Sequence, residues 1–327
     1  MKKIKLPVST APFSALPQPR QEYYLSVSAV HRLYIACYGN PDGIPVLFLH
    51  GGPGAGTHPA QSHYCDLSHY YYILFDQRGC GRSTPMAELT DNTTAHLIQD
   101  IEAIRQHLMI TQWVLLASSW GSTLALHYHF HYHHRVKAIV LRSPFLSRKA
   151  DIEWVYHPNG AATLFPTTWQ KTIQPWLTDD CRPITSQLLQ ALKQADRPQQ
   201  KQIVQALLTW SLTLSHPEYK QTHPIDISPK HYAQCLIQLH YATHQAFLKP
   251  ATMMSILSEC HTLPVWLIHG EKDKLCPIAN TYQLHHALPH SQLITVPNSG
   301  HSGQDPAMVK QVYFAMQHLA SQLEKAR

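Results

Sequence analysis

The chain has 327 residues, enough for one large domain or a domain carrying an insertion. Hydrophobic residues make up 44% and charged residues 14%, which excludes a disordered chain and allows a sizeable core. The formal charge is +6, but the 26 Lys and Arg are scattered rather than clustered, which argues against a nucleic-acid-binding surface.

The chain begins MKKIKLPVSTAPFSALPQPR, a basic start followed by an apolar stretch that prolines interrupt. That pattern makes a poor secretory leader. No run approaches the roughly 20 apolar residues of a membrane-spanning helix. From about residue 22 to 145, short β-branched runs alternate with helical patterns. IPVLFLH (44–50), YYILFD (71–76), WVLLAS (113–118) and VKAIVLR (136–142) read as buried parallel strands. From 146 to 262 such runs stop, and SQLLQALKQA and QQKQIVQALLTW carry helical spacing instead. Strands return with LPVWLIHG (263–270) and QLITVP (292–297), and PAMVKQVYFAMQHLASQLEKA reads as a closing helix. The order predicts an α/β core in two parts, 1–145 and 263–327, interrupted by a helical cap over 146–262. Seven cysteines (37, 65, 80, 181, 235, 260 and 276) form no CxxC pair, as expected of reduced thiols in a cytoplasmic protein.

The chemistry gathers at the loops after strands. VLLASSWGSTLAL (114–126) is a strand, a Ser-Ser-Trp-Gly-Ser turn and a helix, the pattern of a nucleophile elbow. Such a turn needs small residues two places before and after its serine. Ser119 has Ala117 and Gly121 there, whereas Ser118 has Trp120 and Ser122 has Leu124 two places on. Ser119 is therefore the candidate nucleophile. A serine needs a base, and the base an orienting acid. In the α/β-hydrolase fold these follow in the order serine, acid, histidine. Asp273 in LIHGEKDKLCP and His301 in VPNSGHSGQ each follow a late strand. HGGPGAG (50–56) follows an early strand, and its glycines let backbone N–H groups approach a substrate. The oxyanion donors are expected to be Gly52, with Gly51 a close rival, and Trp120.

Other features have simpler readings. His127 and His131 in HYHFHYHH (127–134) have a chelating spacing, but no acid or cysteine completes a site, so an exposed helix face is expected and no metal. Asp76 and Arg78 are expected to brace the core loop, and Cys80 to be a buried thiol. Neither cofactor nor membrane is called for, and the sequence leaves oligomeric state open.

Taken together, the chain resembles the proline iminopeptidases, serine peptidases of the α/β-hydrolase fold. The likeness covers nearly the whole length. It rests on GNPDGIPVLFLHGGPGAG, DQRGCGRSTP (76–85), NTTAHLIQDIEAIRQHL (92–108), SSWGSTLALHY, GEKDKLCP, SGHS and, in the cap, WVYHPNGAATLFPTTWQ (154–170). The resemblance implies release of N-terminal proline from small peptides, with cap glutamates holding the substrate amine. Here the sequence departs from the family. TWSLTLSHPEYK keeps Trp210 and Ser211 but has Leu214 where a glutamate is expected, and IQLHYATH has Gln238 where the second is expected, beside Tyr241. Glu218 is a candidate replacement one turn on, although Pro217 disturbs that helix. An esterase or amidase of the same fold is therefore the alternative, and a non-catalytic interaction protein a second.

Overall fold

The computed structural model describes residues 16–178, 181–216, 218, 225–249, 256–257, 260 and 263–325. Most of the N-terminal segment read above as a poor leader, and Pro217, lie outside them. An antiparallel pair, β1 (Gln21–Ser26) and β2 (Arg32–Gly39), opens the described chain. The sheet continues with β3 (Ile44–Leu49), β4 (Tyr70–Phe75), β5 (Trp113–Ser118), β6 (Val136–Arg142), β7 (Val265–Gly270) and β8 (Gln292–Val296). Its eight strands run in the order β1-β2-β4-β3-β5-β6-β7-β8. β2 joins β4 antiparallel, and every pairing from β4 to β8 is parallel. The parallel runs read in the sequence are these strands, shifted by one or two residues at their ends.

The sheet is central because its strands are apolar on both faces. In β5, Trp113, Leu115 and Ala117 join one core cluster and Val114 and Leu116 the other. The first face is covered by α1 (Thr94–His107) and α2 (Trp120–His131). Among the described residues, α3 (Lys149–Tyr156), α4 (Pro166–Thr172), α5 (Ile184–Gln194), α6 (Arg197–Ser215) and α7 (Pro229–Thr243) then follow β6. α8 (Ile278–Ala287) links β7 to β8. α9 (Pro306–Lys325) lays Met308, Val312, Ala315, Met316 and Leu319 against the second face.

The helices between β6 and β7 carry a hydrophobic cluster of their own. α6 explains why. Ile203, Leu207, Trp210 and Leu214 recur at helical spacing and form one buried stripe. Trp210 packs edge-on against Trp169 and donates its indole N–H to the Val155 carbonyl at 2.9 Å. Among the described residues no helix is long and apolar enough to cross a membrane. No disulfide joins any of the seven cysteines.

One expectation needs correcting. His127 and His129 are buried, not on an exposed face, because α2 lies between the sheet and α1; only the later part of the stretch, from His131, reaches solvent. Burial, with His131 nearby, pushes His127 down to about 4. No group of three metal-ligating residues occurs among the described residues. The core loop is braced as expected. Asp76 accepts from Thr57 and Arg82, Arg78 forms a two-pronged pair with Asp100, and Cys80 is buried.

Candidate active site

β5 ends at Ser118 and α2 begins at Trp120, so Ser119 alone makes the turn. Its backbone lies at φ 54°, ψ −123°, a conformation that costs a non-glycine residue on the order of 1–3 kcal/mol. The surroundings hold it there. The Ser119 N–H donates to the Arg142 carbonyl at 3.0 Å, and its own carbonyl accepts from Ser122 at 2.8 Å and Phe145 at 3.2 Å. The turn brings α2 so close to β3 that a Cβ on Gly121 would lie 2.0 Å from the Leu49 carbonyl oxygen. The three serines then differ sharply. Ser118 Oγ accepts from the Arg142 guanidinium, Ser122 is wholly buried, and Ser119 Oγ faces Cys276 Sγ at 3.9 Å on the wall of a cavity.

Asp273 and His301 stand on the loops after β7 and β8. His301 Nδ1 lies 2.7 Å from Asp273 Oδ2. The other carboxylate oxygen accepts from the N–H groups of Leu275 and Cys276, both at 2.9 Å. Burial pushes the Asp273 carboxyl up, but the adjacent His301 ring and these hydrogen bonds hold it below the usual carboxylate range. With Nδ1 engaged, Nε2 is the His301 nitrogen left for a serine. His301 and Ser119 line the same cleft of about 1580 Å³.

The loop after β3 lies over the serine. A Cβ on Gly51 would come within 3.0 Å of the Ser119 Cβ. His50 fixes this loop from behind. Its Nε2 accepts the Gln77 N–H at 3.0 Å, so its Nδ1 donates to the Gly51 carbonyl at 2.9 Å. Burial pushes His50 down, which favours the neutral ring this arrangement needs. Gln77 in turn binds the His50 carbonyl and the Trp120 indole. Gly52 lines both cavities that Ser119 lines. The Trp120 N–H is the first of α2, where no intrahelical acceptor exists.

A smaller apolar pocket of about 470 Å³ opens beside Ser119, walled by Phe145, Val155, Tyr156, Tyr241 and Leu275. Gln238 lines this pocket, the large cleft and a third small cavity next to Trp210. Tyr241 donates its hydroxyl to Asn92 Oδ1 at 3.0 Å and sets its ring edge-on to Trp120. Leu214 and Glu218 are elsewhere. Leu214 is fully buried within the helical insert, and Glu218 is exposed and pairs with Lys272 at 2.6 Å. Neither lines these cavities. Helix geometry is the reason. Leu214 belongs to the buried stripe of α6, while Ser211 and Ser215, one turn apart, face the cleft. Among the described residues lining the three cavities there is no Asp or Glu.

Three residues of the site went unassigned in the sequence. Arg142, at the end of β6, donates to the His301 carbonyl at 2.5 Å and to Ser118, tying the base loop to the elbow. His269, on β7, bonds the Cys276 carbonyl at 2.9 Å and Thr281 Oγ1 at 2.6 Å beneath the acid loop. Cys276 itself is buried, which pushes its thiol well up. Their only signal was position, at or just beyond the ends of strands next to the triad loops.

A largely parallel sheet with a strained serine at the β5 turn, and an acid and a histidine after β7 and β8, defines an α/β hydrolase. The family model described as alpha/beta hydrolase fold matches residues 44–307. Within that class, a Leptolyngbya boryana protein named "Probable proline iminopeptidase" is 36% identical over 311 residues, covering 93% of this chain and 95% of that one. A Xanthomonas citri proline iminopeptidase is 35% identical over 296 residues, covering 89% and 94%. The chain belongs to the proline iminopeptidase family and is a hydrolase. The solved proline iminopeptidase of Mycobacterium smegmatis shares the fold, with a TM-score of 0.59 and 17% identity over 94% of this chain and all of that one.

Proposed function

We propose that the chain is a cytoplasmic serine hydrolase that releases N-terminal proline from small peptides through an acyl-enzyme on Ser119. The observation that carries this reading is the 2.7 Å Asp273–His301 bond at a cleft that Ser119 also lines. His301 Nε2 takes the Ser119 proton as Oγ attacks the prolyl carbonyl. The oxyanion accepts from the N–H groups of Trp120 and Gly52, with Gly51 the rival to Gly52. Collapse breaks the C–N bond, and His301 returns the proton to the departing amine. Water, deprotonated by His301, then attacks the ester and frees proline. Asp273 stays a carboxylate throughout and stabilises the imidazolium. Every proton and electron pair in this cycle is carried by the chain's own groups and water. In this reading residues 1–145 and 263–327 form the catalytic core, and 146–262 cap it, with the apolar pocket receiving the pyrrolidine ring.

One observation favours a second reading. A cleft without a carboxylate among its described lining residues offers an ammonium no anionic partner, and esters or amides without a free amine fit it as well. Fluorophosphonate labelling, followed by hydrolysis of proline 4-nitroanilide and p-nitrophenyl butyrate, tests both. Labelling lost in Ser119→Ala and turnover of the anilide support the first reading. Turnover of the ester alone supports the second. Unchanged labelling of Ser119→Ala refutes both.

A further inference from the structure

Side chains alone close the inner end of the apolar pocket beside Ser119. Behind it lies a second cavity of about 760 Å³, between α3, α5 and the end of α7. Among the described residues, Ile152, Tyr156 and Ala242 line both and form the partition between them. The inner pocket is mostly apolar, whereas the outer one has Thr185, Thr243 and Gln245 in its wall together with the charged pair Lys149 and Glu153. Thr243 Oγ1 is buried there without a hydrogen-bond partner among the described residues. A buried hydroxyl left unpaired costs roughly 1–3 kcal/mol, which a peptide group placed beside it would recover.

The lip between the cavities is strained. Gln245, Ala246 and Phe247 have φ values of 48°, 55° and 57°, three consecutive left-handed residues with no glycine among them. Each costs roughly 1–2 kcal/mol. The turn is held by Phe247, whose ring stacks on His244 and packs against His240 and Tyr241, and by a bond from Thr94 to the Ala246 carbonyl. It presents Ala246 to the inner pocket and Gln245 to the outer one. Strain of this kind is kept where it shapes a binding site.

We propose that the two cavities form one acyl-side channel, and that the site accepts prolyl substrates carrying an N-terminal acyl or amino-acyl extension. The prolyl group sits beside Ser119. Its N-substituent passes between Ile152, Tyr156 and Ala242, and its peptide carbonyl accepts from Thr243. An enzyme restricted to free N-termini needs a closed pocket ending in an acid; here the described lining of the inner pocket supplies no acid, and Glu153, in the wall of the outer cavity, pairs with Lys149 at 3.6 Å.

The proposal rests on the acyl-enzyme reading, and one assay separates the two. The full chain is given proline 4-nitroanilide, N-acetylproline 4-nitroanilide and benzyloxycarbonyl-glycylproline 4-nitroanilide. The N-extended substrates are expected to reach kcat/KM values within tenfold of proline 4-nitroanilide or above it. Thr243→Trp, which fills the outer cavity, should cut only the N-extended substrates, by tenfold or more. Thr243→Val, which removes the donor at almost constant shape, should raise their KM threefold or more at unchanged kcat. Free-amine preference of a hundredfold or more overturns the channel and leaves the acyl-enzyme standing. Equal losses on all three substrates in both variants also overturn it. Turnover of none of the three overturns the channel together with prolyl specificity, and labelling of Ser119 then judges the acyl-enzyme separately.

Discussion

The two halves of the cleft are built on different principles. On the core side, the candidate nucleophile and acid are held by main-chain bonds. Ser119 is pinned by three main-chain bonds, Asp273 by two N–H donors, and the loop over the serine by His50 and Gln77. On the insert side, side chains such as Gln238, Ser211 and Ser215 line the cleft from single faces of α6 and α7. Geometry fixed by the main chain survives changes in neighbouring side chains; a lining made of side chains is rewritten by single substitutions. On the proposed reading, chemistry falls to the half held by main chain and selectivity to the half lined by side chains.

Substitutions on the two sides should therefore fail differently. The largest effect belongs to Ser119→Ala, which should lower kcat about a millionfold while KM and unfolding midpoint stay close to wild type. Ser118→Ala and Ser122→Ala should keep activity within about tenfold and still label with a fluorophosphonate. Labelling of Ser119→Ala at the wild-type rate would move the nucleophile elsewhere.

Asp273→Asn comes next. The amide oxygen can still accept from Leu275 and Cys276, but its NH2 then faces His301 Nδ1 and drives the ring proton to Nε2. With the wrong tautomer, kcat should fall by about 10⁴ and the fold should hold. Full activity in this variant would show that another acid orients the base.

Leu214→Glu probes the insert and should damage stability rather than selectivity. Its side chain would enter a fully buried apolar cluster without a partner. A loss of roughly 3 kcal/mol or more in urea unfolding is expected. A stable variant with a new preference for free amines would instead put this position in the substrate site.

Acid should act on the core. His127 is held at about 4, against an ordinary value near 6.5, by burial and His131, and burial lowers His50 and His269 as well. Below pH ~6.5 the unfolded chain takes up protons that the folded chain refuses, so stability falls as pH drops from about 6.5 towards 4. His127 alone contributes up to about 3 kcal/mol of this loss. Urea midpoints at pH 7.5 and 5.0 measure it, and His127→Gln should flatten the slope. Equal midpoints at the two pH values would show that these rings protonate freely in the folded state.

The smallest effect is the most telling for the insert. Gln238→Glu adds a carboxylate to a position shared by all three cavities. It should shift kcat/KM towards free-amine over N-acetylated proline 4-nitroanilide by about tenfold, less than a fully buried ion pair gives because the side chain is partly exposed. No shift would mean that the substrate nitrogen lies away from Gln238.

By itself the sequence determined the parallel strands from β3 onward, the helical interruption and the order of serine, acid and histidine. Those features are local: an apolar run, a small residue two places from a serine, an acid or histidine just past a strand. It left β1 unread, because an edge strand of exposed and half-buried polar residues lacks the buried pattern, and β2 unread although Leu33 to Tyr38 form a buried run. Only the tertiary structure decided which residues of α6 and α7 line the cavities beside Ser119. The family resemblance pointed to Leu214, whereas the stripe Ile203, Leu207, Trp210 and Leu214 turns that residue inward and leaves Ser211 and Ser215 facing the cleft. The brace of Arg142 between Ser118 and the His301 carbonyl was likewise invisible, since it joins positions 159 residues apart. A strand end announces itself in a few neighbouring residues, while a cavity wall is assembled from elements whose relative rotation the chain fixes only when it packs.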